Sequence, residues 1–299
     1  MAKLQGAFTA LITPMSAGGE VDYDGFRRLL GFQLESGIDG VLPLGTTGET
    51  PTLTDDEEGA LAKIALEACR AYGKRAVPVI LGAGSNSTRD SVRYAERAAK
   101  LGADYALVVT PYYNKPSDEG VFQHFKAVSA VGIPIIIYNI AGRTGKNIST
   151  PLLRRISDLP NIAGVKEASG SIVQIMEVIE TVVPAHPDFA VLSGDDALTL
   201  PLMGAGGDGI ISVVSNLAPA EITALVAAAL KGDFAAARRL HYKLLPFMRA
   251  AFIETNPCPI KFALARKGLP SGALRLPLVP VSKASEEIIT DAMRQSGLL

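Results

Sequence analysis

Residues 133–138 read Ile133-Pro134-Ile135-Ile136-Ile137-Tyr138, an almost wholly apolar run rich in β-branched side chains. A short continuous run of this kind predicts a strand that is buried on both faces of a parallel sheet. The same rhythm, an apolar run followed by a loop and a stretch with helical spacing, occurs eight times along the chain. The predicted strands are Ala7–Ile12, Gly40–Leu44, Ala76–Leu81, Tyr105–Val109, Ile133–Tyr138, Ile162–Val165, Phe189–Leu192 and Gly209–Val213.

Eight alternating units have the length to close on themselves, so the sequence predicts an α/β fold of the (β/α)8 TIM barrel type. A doubly wound open sheet is the alternative. The predicted helices between strands include Asp24–Leu34, Asp55–Cys69 and Ser87–Lys100.

The chain after the eighth strand, Pro219 to Leu299, is predicted to be almost wholly helical. Its helices are expected at Ala224–Leu230, Asp233–Met248 and near Ser282–Gln295. We therefore predict a barrel core in residues 1–218. Residues 219–299 would hold the eighth barrel helix and a C-terminal helical extension that does not fold independently, because no low-complexity linker precedes it.

The composition predicts a globular protein that acts on small molecules. Of the 299 residues, 48% are apolar and 20% are charged, which is typical of a chain with a large core. The 29 lysines and arginines are scattered and the formal net charge is -1, which argues against nucleic-acid binding. We find no apolar run of about 20 residues and no signal-peptide core, so we expect no membrane partner and a cytoplasmic location. Two cysteines and three dispersed histidines form no metal-binding motif.

Lys166 directly follows Ile162-Ala163-Gly164-Val165, the sixth predicted strand. The carboxyl ends of the strands carry the active site in a TIM barrel, so a reactive side chain here points to chemistry. By strand alternation Lys166 shares a face with Gly164, which would leave the lysine room. Partial burial would lower the amine pKa and give a neutral nucleophile that forms a Schiff base with a carbonyl. The alternative is a lysine that only extends to solvent from a strand end.

Tyr138 ends the fifth predicted strand, one strand along from Lys166. A phenol at this place can pass protons during carbinolamine formation and dehydration, which Schiff-base chemistry requires. An ordinary core tyrosine with a hydrogen-bonded hydroxyl is the alternative.

Three loops at the same predicted edge carry polar side chains. The second strand runs into Gly45-Thr46-Thr47-Gly48-Glu49, whose successive amides and threonine hydroxyls suit a bound carboxylate. The fourth strand ends in Thr110-Pro111-Tyr112-Tyr113-Asn114, whose aromatic pair would alternatively pack on a neighbouring subunit. Arg143 follows Tyr138 and is predicted to grip a carboxylate with both guanidinium nitrogens, a solvated loop arginine being the alternative. Neither Gly142–Lys146 nor Gly82–Ser85 completes a nucleotide-binding pattern.

Three motifs together resemble the dihydrodipicolinate synthase and N-acetylneuraminate lyase superfamily over essentially the whole chain: Gly45-Thr46-Thr47-Gly48-Glu49, Tyr138–Gly145 and Gly164-Val165-Lys166-Glu167. The Thr46-Thr47 pair, Thr110–Asn114 and Arg143 are most similar to its dihydrodipicolinate synthase branch. The resemblance implies a lyase that condenses pyruvate with aspartate semialdehyde in the biosynthesis of lysine and diaminopimelate, without an organic cofactor.

The resemblance also implies four catalytic residues. Lys166 would form the pyruvate imine and Tyr138 would donate and accept protons. Thr46 and Tyr113 would complete a proton relay. Tyr113 would reach across a subunit interface, because such enzymes are commonly homotetramers built from tight dimers.

Four further residues would bind substrate. The backbone around Thr47 and Ile211 would hold pyruvate, Gly194 would border the substrate, and Arg143 would bind the carboxylate of aspartate semialdehyde.

Two departures from the family pattern bear on these expectations. Ala141 stands where many relatives have proline, so the loop that carries Arg143 is expected to be less rigid. Asp55 and Glu58 stand where lysine-inhibited relatives often carry histidine, so we expect weak or no inhibition by lysine.

Two other functions remain open from the sequence. A sister lyase, of the N-acetylneuraminate, sugar-acid or hydroxy-oxoglutarate type, would keep Lys166 and Tyr138 but act on another aldehyde. A non-catalytic ketoacid-binding barrel would have no use for a proton relay.

Overall fold

The computed structural model describes residues 3–270 and 272–299. Its strands are β1 Gly6–Ala10, β2 Gly40–Leu42, β3 Ile80–Gly82, β4 Tyr105–Val109, β5 Ile135–Asn139, β6 Ile162–Glu167, β7 Ala190–Ser193 and β8 Gly209–Ser212. Its helices are α1 Tyr23–Glu35, α2 Asp55–Ala71, α3 Thr88–Leu101, α4 Asp118–Ser129, α5 Ala141–Thr144, α6 Thr150–Ser157, α7 Ile172–Thr181, α8 Thr199–Gly204, α9 Pro219–Leu230, α10 Phe234–Ala250, α11 Cys258–Arg266 and α12 Lys283–Gln295.

The eight strands form one sheet in the order β2-β1-β8-β7-β6-β5-β4-β3. Strands that are consecutive in sequence are adjacent in the sheet, except for β2 and β3, which stand at the two ends of this order, and β1 lies beside β8. This is the strand order of a TIM barrel, so the predicted fold class is confirmed. A doubly wound sheet reverses its order at a switch point, which this sheet does not do.

Two compact units make up the chain. The first unit comprises Met1–Gly6 and Ile80–Ile211, and the second comprises Ala7–Val79 and Ser212–Leu299. The predicted division at residues 218 and 219 concerns independent folding and stays a prediction.

The first unit contains the consecutive parallel pairs from β3 to β8. The side chains of Ile135, Ile136 and Ile137 are fully buried, as the continuous apolar run of β5 predicts. Ile135 pairs with Ile162, but Ile136 pairs with Gly164, so Ala163 is an extra residue in β6. This β-bulge sets the pairs that follow it, in which Tyr138 lies opposite Lys166 and Asn139 opposite Glu167.

The second unit joins β1 and β2 to the helices at both ends of the chain. The buried side chain of Gln33 accepts a hydrogen bond from Thr9 Oγ1 at 2.6 Å and donates to the carbonyls of Ser215 and Asn216 at 3.0 and 3.1 Å. These three hydrogen bonds satisfy buried polar groups of α1 and of the chain after β8, and they fix both segments against β1. A capping box of Thr54 and Glu57 begins α2.

Two strand boundaries show where the local sequence was sufficient to predict a strand and where it was not. β4 was predicted to the residue, whereas β3 begins four residues later than expected. Pro78 precedes it and has no N–H, so the backbone there accepts a hydrogen bond from Val41 without forming a regular ladder.

The prediction that the chain after Pro219 is almost wholly helical was wrong for residues 267–270 and 272–282, which contain no helix. Three prolines, Pro270, Pro277 and Pro280, lack the N–H that a helix interior requires. The helix α11 was also not among the predicted elements. In the described part of the chain, no helix is both long and apolar enough to cross a bilayer.

Candidate active site

Lys166 and Tyr138 form the centre of the candidate site. Both lie near the carboxyl ends of adjacent strands, and both side chains are buried, at 5% and 6% exposure. The Lys166 Nζ lies 4.3 Å from the centroid of the Tyr138 ring. The backbone carbonyl of Tyr138 accepts hydrogen bonds from Thr110 N and Oγ1, both at 3.1 Å, which fixes the end of β5 against β4. The amine and the phenol are therefore held side by side by paired strands.

Burial makes Lys166 a nucleophile near neutral pH. Removal of the ammonium from water lowers the pKa of Lys166 to about 7, with Asp196 opposing the shift and Arg143 adding to it. A large fraction of the side chain is then the neutral amine at physiological pH. The pKa is thus lowered in the direction that the sequence predicted from burial, and the catalytic role of Lys166 stays a prediction.

Burial acts on Tyr138 in the opposite direction. It raises the pKa of Tyr138 to about 12, while Arg143 lowers it and Asp195 raises it further. The group is therefore a protonated phenol at neutral pH. A phenol beside a neutral amine can supply a proton to an oxygen that leaves during dehydration.

Gly194 supplies the room that Lys166 needs. A Cβ at this position would lie 3.1 Å from Lys166 Cγ and 2.8 Å from Ala168 Cβ. The sequence assigned that room to Gly164, but a Cβ at Gly164 would instead meet Ala190, 2.9 Å from its Cβ. Gly164 therefore permits the close approach of β7, and Gly194 clears the lysine side chain.

Arg143 lies on the short helix α5, which directly follows β5, and its side chain is exposed. Its charge affects the pKa values of both Lys166 and Tyr138, so the guanidinium lies within electrostatic reach of the pair. The Thr144 hydroxyl donates to the carbonyl of Ile140 at 2.9 Å, which closes the turn that carries the arginine.

A cluster that the sequence analysis missed holds both ends of this loop. Asn139 Nδ2 donates to both carboxylate oxygens of Glu167, at 3.2 and 3.1 Å, and to Asn147 Oδ1 at 2.9 Å. Asn139 Oδ1 accepts from Ile148 N at 3.0 Å, and Gln174 completes the cluster. Burial raises the pKa of Glu167 although these donors oppose the shift. The sequence did contain a signal for this cluster. Asn139 directly follows Tyr138 and Glu167 directly follows Lys166, so strand alternation places both polar side chains on the other face of the sheet from the phenol and the amine.

Two acidic residues after β7 were also missed. Asp195 and Asp196 follow Gly194, and Asp196 is fully buried. Asp196 raises the pKa of Lys166, and Asp195 raises the pKa of Tyr138. Their position after a strand end in Ser193-Gly194-Asp195-Asp196 could have identified them.

Tyr113 and Ile211 occupy contrasting environments in the first unit. Tyr113 is 89% exposed and has a φ of 73°, whereas Ile211 lies buried within β8. The roles predicted for them stay predictions.

Thr46 and Thr47 lie in the second unit, on a 3-10 turn over Thr46–Gly48. Thr47 is buried, and its Oγ1 accepts a hydrogen bond from Asn256 Nδ2 at 3.0 Å. The following Glu49 has a left-handed φ of 56° and forms a fully buried ion pair with Lys261 at 2.7 Å. Asn256 and Lys261, both in the C-terminal part of the chain, thus hold the turn in place.

The described residues, 3–270 and 272–299, contain no group of three or more histidine, cysteine, aspartate or glutamate side chains that could hold a metal ion. The expectations of no metal and no cofactor stay predictions.

A model of the dihydrodipicolinate synthetase family matches residues 3–296. The chain belongs to this family. Among its relatives in the dihydrodipicolinate synthetase family, the 4-hydroxy-tetrahydrodipicolinate synthase of Protochlamydia amoebophila is 52% identical over 293 residues, covering 98% of this chain and 96% of the relative.

Solved structures of the family superpose on almost the whole chain. The dihydrodipicolinate synthase of Thermotoga maritima has a TM-score of 0.95 at 44% identity, covering 99% of this chain and 100% of that one. The enzyme of Cyanidioschyzon merolae, crystallised with lysine bound, has a TM-score of 0.94 at 38% identity, covering 100% of both chains. The predicted membership of the dihydrodipicolinate synthetase family is confirmed.

Proposed function

We propose that this chain is a Schiff-base lyase that condenses pyruvate with L-aspartate 4-semialdehyde to 4-hydroxy-tetrahydrodipicolinate. The observation that carries the proposal is the buried Lys166 amine, 4.3 Å from the centroid of the Tyr138 ring. The name 4-hydroxy-tetrahydrodipicolinate synthase, borne by relatives that cover almost the whole chain, supports the same substrates and gives no support to a sister lyase or a non-catalytic barrel.

The reaction begins with attack of the neutral Lys166 amine on the carbonyl carbon of pyruvate. The carbonyl oxygen becomes a hydroxyl in the carbinolamine and leaves as water, with a proton supplied by the Tyr138 phenol, and an imine remains. The positive imine acidifies the methyl group, and the Tyr138 phenolate left by the dehydration takes one of its protons to give an enamine.

The enamine carbon then forms a bond to the aldehyde carbon of the second substrate, whose oxygen takes a proton from Tyr138 and becomes a hydroxyl, and the imine is restored. The amine of that substrate attacks the imine carbon, closes the ring and displaces the amine of Lys166. The imine on Lys166 activates pyruvate, and all atoms of the product come from the two substrates, so no step of the proposed reaction calls for an organic cofactor or a metal.

The remaining site residues take the roles that the family resemblance implies. The turn with Thr46 and Thr47 and the backbone of Ile211 would receive pyruvate, and Arg143 would bind the carboxylate of aspartate semialdehyde. Arg143 is suited to this because its guanidinium is exposed and lies within electrostatic reach of Lys166.

Tyr113 would join the proton relay of a partner subunit, with Thr46 as the intervening hydroxyl. Tyr113 is 89% exposed within one chain, which leaves its ring accessible for burial against a second copy. We propose a homotetramer built from tight dimers, working in the cytoplasm.

The test is turnover of pyruvate with a panel of aldehydes. Condensation with aspartate semialdehyde is followed through coupled reduction of the product, and N-acetylmannosamine is followed by loss of pyruvate. Selective turnover of aspartate semialdehyde supports the proposal. Turnover of another aldehyde alone overturns the substrate, and failure of borohydride to trap pyruvate on the wild-type protein overturns the imine mechanism.

A further inference from the structure

The side chains of Thr47 and Asn256 are paired in the interior of the second unit. Asn256 Nδ2 lies 3.0 Å from Thr47 Oγ1, and the two residues are 3% and 5% exposed. They are separated by more than 200 positions in sequence, so the contact is a product of the fold. No other hydrogen bond of the Thr47 hydroxyl is found within residues 3–270 and 272–299.

A second contact joins the same two segments. Lys261 lies one turn into α11, and its Nζ donates to Glu49 Oε1 at 2.7 Å and to the carbonyl of Thr13 at 3.1 Å. The Thr13 hydroxyl in turn donates to the carbonyl of Gly48 at 2.7 Å. The turn at 46–49 is therefore attached to the segment 256–261 at two points, which fixes Asn256 relative to Thr47.

A hydroxyl has one proton and two lone pairs, so its hydrogen-bond partners decide which way the proton points. Because the Thr47 oxygen accepts the amide proton of Asn256, its own proton points elsewhere and is available to a second acceptor. A carboxylate has acceptor oxygens only. The pairing therefore presents Thr47 as a donor, which is the polarity that a carboxylate needs.

We propose that Asn256 is a positioning residue that orients the Thr47 hydroxyl as a donor to the carboxylate of pyruvate. The inference rests on the proposed function, in which this turn receives pyruvate. Asn256 acts through Thr47 and is assigned no contact with the substrate.

The proposal predicts effects of different size for two substitutions that remove the same amide. Asn256→Ala lets the hydroxyl rotate, and its donor orientation is still accessible. Asn256→Asp replaces the donor with an ionised acceptor, which takes the Thr47 proton and turns the hydroxyl lone pairs towards the substrate. A hydrogen bond to a charged group contributes enough that its loss weakens binding by about tenfold or more.

The experiment measures the pyruvate concentration that gives half-maximal borohydride trapping, read by mass spectrometry of the intact protein. Asn256→Asp is expected to raise this concentration about tenfold or more and Asn256→Ala by about threefold. The KM for aspartate semialdehyde should stay near that of the wild type. Asn161→Asp is the matched control, because it makes the same exchange in the first unit at the opposite end of β6 from Lys166.

A double-mutant cycle with Thr47→Val separates orientation of the hydroxyl from simple charge repulsion. Without the hydroxyl, both Asn256 variants should differ from Thr47→Val alone by less than about twofold. If Asn256→Asp keeps its full effect in that background, it acts through its charge and the proposal is wrong. Circular dichroism checks that each variant is folded. If Asn256→Asp does not fold, the comparison of Asn256→Ala with and without Thr47→Val tests the proposal.

Failure of this inference is distinct from failure of the proposed function. If pyruvate cannot be trapped on the wild-type protein, the proposed function is overturned. If pyruvate is trapped on the wild type and Thr47→Val weakens trapping while both Asn256 variants match the wild type, only the role of Asn256 is overturned.

Discussion

Replacing Lys166 with methionine should make the folded protein more stable at pH 8, although it removes the nucleophile. The pKa of Lys166 is about 7 in the folded chain and 10.5 in its ordinary state. The pKa of Lys166 is lower in the folded chain than in the unfolded chain. Lys166 therefore costs no stability above about pH 10.5, where both states carry the neutral amine, and it lowers the free energy of unfolding increasingly as the pH falls towards 7. By linkage, the free energy of unfolding is lowered by about 3 kcal/mol at pH 8 and by less than about 0.5 kcal/mol at pH 10.5.

Methionine has nearly the volume of lysine and no charge, so the variant lacks this pH-dependent loss without opening a cavity. Unfolding in urea is followed by far-ultraviolet circular dichroism, since the chain contains no tryptophan. Wild type and variant are compared at one protein concentration, because assembly would contribute to stability. A variant that is no more stable than the wild type at pH 8, or whose gain is equal at both pH values, would refute the reasoning.

Four further predictions concern the site. Tyr138→Phe keeps the ring beside Lys166 but removes the phenol proton, so kcat at saturating substrate should fall by about 10²- to 10⁴-fold. Arg143→Ala should raise the KM for aspartate semialdehyde by about tenfold or more and should weaken pyruvate trapping far less, because burial is the larger cause of the lowered Lys166 pKa. Gly194→Ala places a Cβ 3.1 Å from Lys166 Cγ, so trapping of pyruvate should slow and strain should lower the free energy of unfolding by about 1–3 kcal/mol, seen as a lower midpoint of thermal unfolding. Lysine should inhibit turnover weakly or not at all, as the family resemblance implies from the acidic residues Asp55 and Glu58 at the start of α2.

Each of these has a result that contradicts it. Wild-type kcat in Tyr138→Phe would mean that another group transfers the proton. Unchanged kinetics in Arg143→Ala would remove that residue from the substrate site. Trapping at the wild-type rate in Gly194→Ala would mean that the lysine does not need the space. A clear loss of activity at physiological lysine would show that residues other than Asp55 and Glu58 decide feedback.

Local patterns were sufficient for the parts of the fold that depend on short stretches of chain. The apolar run of β5 and the alternation of Gly164, Val165 and Lys166 in β6 are readable from neighbouring residues, because burial in a parallel sheet acts on every residue of the strand. The same reasoning placed Lys166 and Tyr138 at the ends of adjacent strands. Proline positions could have corrected the C-terminal prediction, since Pro270, Pro277 and Pro280 break any helix there.

Contacts between distant segments could not be read in this way. The partner of Thr47 is Asn256 and the partner of Glu49 is Lys261, and nothing in either sequence neighbourhood specifies the other. Gly164 and Gly194 look alike in sequence, and only the positions of Ala190 and Lys166 distinguish their tasks. The ion pair of Glu49 also holds a non-glycine residue in the left-handed region, which local preference disfavours.

The extra residue in β6 decides which side chains face each other at the candidate site. Without the bulge, but with Ala163 still in the strand, the pairing that starts at Ile135 and Ile162 would continue residue by residue, and Tyr138 would lie opposite Val165. Lys166 would then lie opposite Asn139, on the face that now holds the carboxylate of Glu167. A regular strand of the same length would thus separate the amine from the phenol, whereas deletion of Ala163 would remove the bulge and keep the two side chains opposite each other. The alignment of the amine with the phenol therefore depends on the backbone at an alanine that takes no part in the chemistry.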